Sequence, residues 1–228
     1  LALMLMAGPF ARGQADELKR RGFLGAAVAP LEEGGDGVRV LRVLPGSPAE
    51  GVGLAEGDVI VEVDNEPVTD PLSFVTLVGS RGAGEEVTVR FRRGDEPMDV
   101  RVTFAEFPRE EWDGAEVIYG SVASAAGLQR TIVTKPEGDG TFPVFFLIQG
   151  LGCFSMESPQ AGLAPYGELV RAFSEAGYVT LRVEKPGCGD SQGGPCADVD
   201  FETERDGYLQ ALKAIKAMRF VDPGRILI

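Results

Sequence analysis

Alternation of apolar and polar residues is the main signal in the chain from about residue 20 to residue 107. The stretches "GVRVLRVL", "DVIVEVDNEPV" and "EEVTVRFRRGDEPMDVRVTF" alternate in the way half-buried strands do. In the first stretch the alternation places Val38, Val40 and Arg42 on one face. The third stretch contains the turn residues Gly94 and Asp95 between two alternating runs, so it predicts a β-hairpin.

Two short helices are predicted between these strands. Ser47 to Glu50 reads as a capping box with a proline at the first helical position. Asp70 opens a second helix, "PLSFVTLVGSRG", for which we expect Leu72 and Leu77 in the core and Gly82 at the C-terminal end. This part of the chain, residues 16–108, therefore reads as a compact β-rich module with two helices.

The pattern changes after a polar stretch at residues 109–116, which we interpret as a linker. Residues 117–134 predict a hairpin, and "PVFFLIQG" is a continuous apolar strand of the kind buried on both faces of a sheet. Two amphipathic helices then alternate with two further strands. The inward residues we expect on these helices are Leu169, Val170, Phe173, Tyr208, Leu212 and Ile215. A hairpin followed by β-α-β-α-β predicts an α/β fold for residues 117–228, a mostly parallel sheet with helices on both faces.

Composition excludes several classes of function. The net charge of −13 argues against nucleic acid as a partner, because phosphates require clusters of lysine and arginine. The chain has no histidine, which removes histidine-based catalysis within these residues and the commonest metal ligand. We therefore expect no metal site and no cofactor. The three cysteines contain no Cys-x-x-Cys pair, which argues against a zinc site. They form either one disulfide and one free thiol or three unpaired thiols.

The first residues bear on the cellular compartment. "LALMLMAGPFARGQAD" combines an apolar run too short to span a bilayer with a small-x-small pattern before Asp16. Residues 1–15 therefore read as a partial signal peptide, with an ordinary first helix as the alternative. The first reading predicts an exported protein, periplasmic or extracellular, without a membrane span.

The first module resembles PDZ domains of the type found in bacterial periplasmic proteases. The resemblance rests on "RRGFLGAAV" and on the contiguous run "VLPGSPAEGVGLAEGDVIVEVDNEPV". It implies a groove that binds peptide C-termini, with Val75 or Val78 on its helical wall and Arg20 or Arg21 adding long-range attraction. The backbone of four residues would hold the peptide carboxylate: Phe23, Leu24, Gly25 and Ala26. The alternative is that Gly22 and Gly25 only permit a tight turn.

The second module resembles the N-terminal part of an α/β-hydrolase of the serine peptidase and esterase sort. "FLIQGLGCFS", "YVTLRVEKPGCGDSQG" and "DPGRILI" resemble, in this order, the third strand with its turn, the next strand with its loop, and the strand that leads to the nucleophile. In this family a Gly-x-Ser-x-Gly elbow follows that last strand, and the catalytic Asp and His come later. The resemblance therefore implies that the triad lies after Ile228, and that this chain is an inactive fragment.

Among residues 149–196, one backbone amide, one pair of cysteines and three possible nucleophiles bear on function. The resemblance implies that the amide of Leu151, between Gly150 and Gly152, is one donor of the oxyanion hole. Cys153 and Cys196 follow adjacent strand ends, and we offer a disulfide between them as a hypothesis. Three side chains are rejected as nucleophiles because no histidine is present to act as base: Ser155, Ser191 and Cys188.

Two functions from different classes follow. The first is an exported serine hydrolase, a peptidase or esterase, whose PDZ module binds a peptide or protein C-terminus while a small molecule or peptide is the substrate. The second is a non-catalytic PDZ adaptor with a hydrolase-like scaffold. The appearance of Gly-x-Ser-x-Gly in the sequence after Ile228 would favour the first.

Overall fold

The computed structural model describes residues 18–31, 34–157 and 166–228. The chain divides into two compact units, one of Lys19–Pro108 and one of Leu18 with Arg109–Ile228. The signal peptide predicted for residues 1–15 lies outside the described residues. Each unit is treated by itself below.

The first unit is built on an antiparallel sheet with the strand order β2-β3-β4-β6-β7. A short β5 pairs with β4, and β1 pairs with β8. Its elements, in chain order, are β1 (Gly22–Phe23), β2 (Ala26–Pro30), β3 (Val38–Val43), α1 (Pro48–Gly51), β4 (Val59–Val63), β5 (Glu66–Pro67), α2 (Pro71–Gly79), β6 (Glu86–Arg93), β7 (Glu96–Thr103) and β8 (Ala105–Glu106). The predicted hairpin and both predicted helices are confirmed.

Helix α2 turns a different face to the core from the one we predicted. Phe74 and Val78, one turn apart, are buried in the core, and Leu77 packs against it. Leu72 was predicted in the core, but it is 70% exposed, because it lies on the opposite side of the helix from that pair. The helix also ends at Gly79, before the predicted Gly82, with Ser80 as its C-cap.

A β-bulge changes the alternation of β3. Ala27 of β2 pairs with Arg42, whereas Val28 pairs with Val40, so Leu41 is an extra residue in the ladder. Arg42 is therefore exposed on the outer face, although strict alternation placed it with Val38 and Val40.

The second unit is a mixed sheet with helices on both faces, and the prediction of a mostly parallel sheet is wrong, because two of its four strand pairings among the described residues are antiparallel. Its sheet has the order β13-β11-β12-β10-β9, in which β9–β10 and β10–β12 are antiparallel while β11 is parallel to both β12 and β13. Its elements, in chain order, are β9 (Ala115–Ser124), β10 (Gly127–Pro136), β11 (Phe142–Leu147), α3 (Gly167–Glu175), β12 (Val179–Val183), a 3₁₀ turn (Cys196–Asp198), α4 (Phe201–Lys216) and β13 (Val221–Leu227).

The two helices of this unit cover opposite faces of the sheet. Phe146 packs with α4, while Phe145, its neighbour in the strand, packs with Val170 and Phe173 of α3. The chain passes from β11 through α3 to β12, and then back across β11 through α4 to β13. Right-handed crossovers taken in opposite directions place helices on opposite faces. Leu169 was predicted to face inward but is 40% exposed, because Val170 and Phe173 form the buried stripe.

Residues 109–116 are not a free linker. Both carboxylate oxygens of Glu110 accept hydrogen bonds from the guanidinium of Arg182 in β12, at 2.6 and 2.7 Å, and the two side chains are 0% and 1% exposed. Trp112 packs against the cluster around Phe145. The segment is thus part of the second unit, because one buried ion pair and one aromatic ring attach it to the sheet.

Strand β13 forms one edge of the second sheet within the described residues, where β11 is its neighbour. Val221 is buried, whereas Leu227 is 48% and Ile228 is 66% exposed. The prediction of a strand here is confirmed, but its last residues are less buried than an interior strand requires.

Candidate functional site

The loop between β1 and β2 is shaped by Gly25. Its φ of +84° is a conformation that other residues rarely adopt. The carbonyl of Leu24 accepts a hydrogen bond from the N–H of Ala49 at 2.8 Å, and the carbonyl of Gly25 accepts one from the N–H of Leu44 at 2.8 Å. In a trans peptide the N–H points away from the preceding carbonyl, so the N–H groups of Gly25 and Ala26 face away from these two partners. Successive N–H groups that converge on one point form a site for an anion, so these two N–H groups are the candidates for such a site.

Strand β2 continues this loop along a free edge. Within the described residues it pairs only with β3. The bond from Leu44 to Gly25 flanks the pair Ala26–Val43, so Ala26 directs its own N–H and carbonyl away from β3. Val28 pairs with Val40, whose N–H and carbonyl are hydrogen-bonded to Asp58 and Gly57 on the side of β4. Val28 therefore also directs its N–H and carbonyl away from β3. Alternate backbone groups on this edge are therefore available to another strand.

Helix α2 carries both residues that were predicted from the sequence to line a groove. Val75 is 59% exposed and lies on a flank of the helix, beside the buried face. Val78 is only 8% exposed and belongs to the core, so the prediction that it lines a groove is wrong. The helical repeat places Val78 next to Phe74 on the core side.

The two arginines before the loop have local partners. Arg20 is buried and donates hydrogen bonds to the carbonyls of Phe107 and Pro108. The guanidinium of Arg21 lies 3.7 Å from the centroid of the Phe107 ring. These contacts tie the two ends of the first unit together, and the long-range attraction of a peptide by these arginines stays a prediction.

The match to a family model agrees with this geometry. The model for the PDZ domain matches residues 22–104, which include the loop, β2 and α2. Residues 22–104 form a PDZ domain. The part of the chain after this PDZ domain is not covered by that match.

Several curated proteins are similar to the chain. A putative serine protease, HhoA, from Synechocystis is 39% identical over 71 residues, which are 31% of this chain and 18% of that protein. A probable periplasmic serine endoprotease, DegP-like, from Hahella chejuensis is 35% identical over 105 residues, 44% of this chain and 22% of that protein. A crystal structure of the serine endoprotease from Yersinia pestis is 27% identical with a TM-score of 0.35, covering 39% of this chain and 30% of that one. The chain thus spans about a fifth of the curated relatives' own length.

A second arrangement lies outside the PDZ domain, in the loop after β11. Gln149 donates hydrogen bonds to the carbonyls of Gly152 and Phe154, both at 2.9 Å. The buried ammonium of Lys185 donates to the carbonyl of Gly150 at 2.6 Å. The N–H of the following residue, Leu151, therefore points away from Lys185. The Leu151 side chain is fully exposed at the tip of the loop, and among the described residues none accepts a hydrogen bond from its N–H.

Glu184 holds the far end of the same loop. Its carboxylate accepts hydrogen bonds from the hydroxyl of Ser155 at 2.6 Å and from the N–H of Met156 at 3.1 Å. A disulfide joins Cys153 of the loop to Cys196 of the 3₁₀ turn, with their Cα atoms 5.8 Å apart. The structure thus brings together the two cysteines for which we hypothesised a pairing.

Ser191, which we rejected as a nucleophile, lies in "GDSQG", a segment that spells Gly-x-Ser-x-Gly literally. Its hydroxyl accepts a hydrogen bond from the N–H of Arg130 at 2.9 Å and donates one to the carbonyl of Glu184 at 2.9 Å. The segment is a turn that is not directly preceded by a strand or followed by an α-helix. Ser191 therefore has a structural role, and the nucleophile elbow is absent from this loop. Cys188, also rejected as a nucleophile, is buried and outside the disulfide.

A mainly apolar cavity of about 400 Å³ lies beside the loop. Ile148, Leu151, Phe201 and Leu209 line it, together with the ammonium-bearing side chain of Lys185. Within the part of the chain that the structure describes, no cluster of acidic residues and cysteines is arranged to hold a metal ion. No described helix has both the length and the apolar character needed to cross a membrane.

Proposed function

We propose that the PDZ domain binds the C-terminal end of a peptide or protein as an added strand on β2. The observation that carries this proposal is the edge of β2, where Ala26 and Val28 direct their backbone groups away from β3, directly after the loop at Gly25. The terminal carboxylate would occupy the loop, and the peptide backbone would continue antiparallel along the free edge.

A peptide in this position has a defined register. Its backbone pairs with Ala26 and Val28, whose side chains pack against the domain core. Peptide residues that lie opposite Ala26 and Val28 point their side chains to the same face of the sheet as those two residues, toward α2. The last residue and the third residue from the end therefore enter the groove beside Val75.

Binding to the full chain tests this proposal directly. We would measure fluorescence polarisation with a peptide library whose last residue and third residue from the end are varied over Val, Ile, Leu and Phe. We expect saturable binding of free-carboxylate peptides and its loss when the same peptides end in an amide. V75E should weaken binding, whereas T76E, a charge-matched change at an exposed position on the same helix, should not. Equal binding of acid and amide forms would refute the proposal.

For the second unit we propose a serine hydrolase of the α/β-hydrolase type. The strand order β13-β11-β12-β10-β9 supports it, as does the loop that fixes the direction of the Leu151 N–H. In such an enzyme this N–H stabilises the oxyanion, and β13 leads to the nucleophile. The Ser, Asp and His would then lie after Ile228, and residues 1–228 alone would be inactive.

A fluorophosphonate probe tests this second proposal on the protein encoded by the whole reading frame. We expect covalent labelling of a serine located after Ile228, and no labelling of Ser155 or Ser191. A protein that carries Gly-x-Ser-x-Gly after Ile228 but resists the probe would contradict the hydrolase. A reading frame without that motif would favour the alternative, a PDZ adaptor whose α/β unit is a scaffold.

We also propose that the protein is exported to the periplasm or beyond the cell. The name of the Hahella relative includes that compartment. The disulfide between Cys153 and Cys196 also supports export, because disulfides persist in oxidising compartments. Fractionation of the native host with antibody detection would test it, and a purely cytoplasmic signal would refute it.

A further inference from the structure

The outer face of β2 and β3 carries small residues opposite arginines. Ala27 pairs directly with Arg42, and Ala29 pairs directly with Arg39. Ala27 and Arg42 are exposed, and the bulge at Leu41 is what turns Arg42 outward. This face lies on the side of the sheet away from the core.

A bound peptide would place its penultimate side chain on that face. The last residue and the third from the end face α2, so the residues between and beyond them face outward. The penultimate residue then lies next to Ala27, with Arg42 on the other side of Ala27. Neighbouring strands are about 4.8 Å apart, so two strand spacings, about 10 Å, separate the Cα atoms of the penultimate residue and Arg42.

A carboxylate and a guanidinium can meet across this separation. The methyl group of Ala27 does not rise high enough to keep them apart, and both glutamate and arginine side chains extend several ångströms. Opposite charges on one sheet face attract when they are neighbours or near neighbours across strands. A lysine at the penultimate position would instead face the guanidinium at the same distance.

We propose that Arg42 makes the PDZ domain select C-terminal peptides with an acidic penultimate residue. This inference rests on the proposed peptide binding and adds a preference to it. The preference is local, because the chain as a whole carries a net charge of −13.

The expected size of the effect is modest. An exposed ion pair changes an affinity by about two- to fivefold. The preference should also fall as salt is raised, because exposed charges at this separation are screened within about a Debye length of 8–10 Å.

The experiment uses the full chain and the same peptide library, with the penultimate residue fixed as Glu, Gln or Lys. We expect the order Glu, Gln, Lys in affinity for the wild type, and the reverse order for R42E. R101E is the matched control: it makes the same charge change at an exposed position of β7, at the opposite edge of the sheet from β2. It should keep the wild-type order.

Each outcome decides between the two proposals. Binding that depends on the free carboxylate but ignores the penultimate charge overturns the role of Arg42 and leaves peptide binding intact. Equal changes in R42E and R101E overturn it as well, since they indicate a general charge effect. If no free-carboxylate peptide binds, both proposals fail.

Discussion

Replacing Glu110 by alanine is expected to be one of the most destabilising single changes in the second unit. The Glu110 carboxylate makes two charge-assisted hydrogen bonds to Arg182, and neither side chain is more than 1% exposed. Removing one member of a buried pair leaves the other charge without compensation and costs about 3–5 kcal/mol. Replacement of Glu111, the exposed neighbour, should change stability by no more than about 0.5 kcal/mol.

Urea unfolding followed by two signals measures this difference. Trp112, the single tryptophan of the chain, lies in the second unit, so its emission reports the unfolding of that unit. Its indole N–H donates a hydrogen bond to Glu110, so the variant shifts the emission of the folded state. Far-UV circular dichroism is therefore recorded beside it, and only the midpoints and slopes of the two curves are compared.

A double variant separates burial of charge from loss of packing. E110L/R182M replaces the pair by apolar side chains, and such replacements are often neutral or stabilising. We expect it to be more stable than E110A. If E110A is no less stable than E111A, then residues 109–116 do not contribute to the second unit, and our assignment of this segment is refuted.

Three further predictions concern other parts of the chain. G25A should cost about 1–3 kcal/mol more than G46A in unfolding free energy. Both glycines have positive φ, but only at Gly25 would a new Cβ meet a neighbour, the Cβ of Ser47 at 2.2 Å. Equal costs would contradict the tight packing of the loop. Replacing both Cys153 and Cys196 by serine should lower stability by about 4 kcal/mol on the chain-entropy model for their 43-residue separation, and non-reducing peptide mapping that finds two free thiols would disprove the bond. Burial acts to raise the pKa of Asp58, but hydrogen bonds from a guanidinium and a backbone N–H outweigh it and lower that pKa. The charged carboxylate therefore stabilises the fold above the pKa of about 4 that it has in the unfolded chain, and this stabilisation is lost as pH falls through its lower pKa in the folded protein. The difference in unfolding free energy between wild type and D58N should shrink below about pH 4, and a difference that stays constant with pH would refute this.

The periodicity of apolar residues predicted the strands and helices well, but it did not predict the places where the regular pattern is interrupted. The hairpin of β6 and β7 follows from regular alternation on both sides of the turn residues Gly94 and Asp95. The bulge at Leu41 could not be predicted, because one inserted residue reverses the face of every residue after it without changing the composition of the strand. The exposed Arg42 is the consequence, and it carries the preference proposed above.

Charged residues in the interior of the second unit were the other source of error. A polar segment such as "PREEWDGAE" normally indicates solvent exposure, and nothing local distinguishes Glu110 from Glu111. The difference arises from Arg182, which is far along the chain and lies in a fully buried strand. Long-range pairing of this kind is visible only once the fold is known.

The loop after β11 is the feature on which we base the proposal of a hydrolase, rather than a scaffold, for the second unit. A simple connection would leave its carbonyls to water, yet those of Gly150 and Gly152 are bound by Lys185 and Gln149. Burying Lys185 costs several kcal/mol before its partners, the carboxylate of Glu204 at 3.0 Å and the carbonyl of Gly150, compensate. What this arrangement achieves is a fixed backbone with one N–H, that of Leu151, directed outward beside an apolar cavity. A donor that is oriented before the substrate arrives needs no reorganisation during a reaction, which is useful to an enzyme and of no evident use to an adaptor.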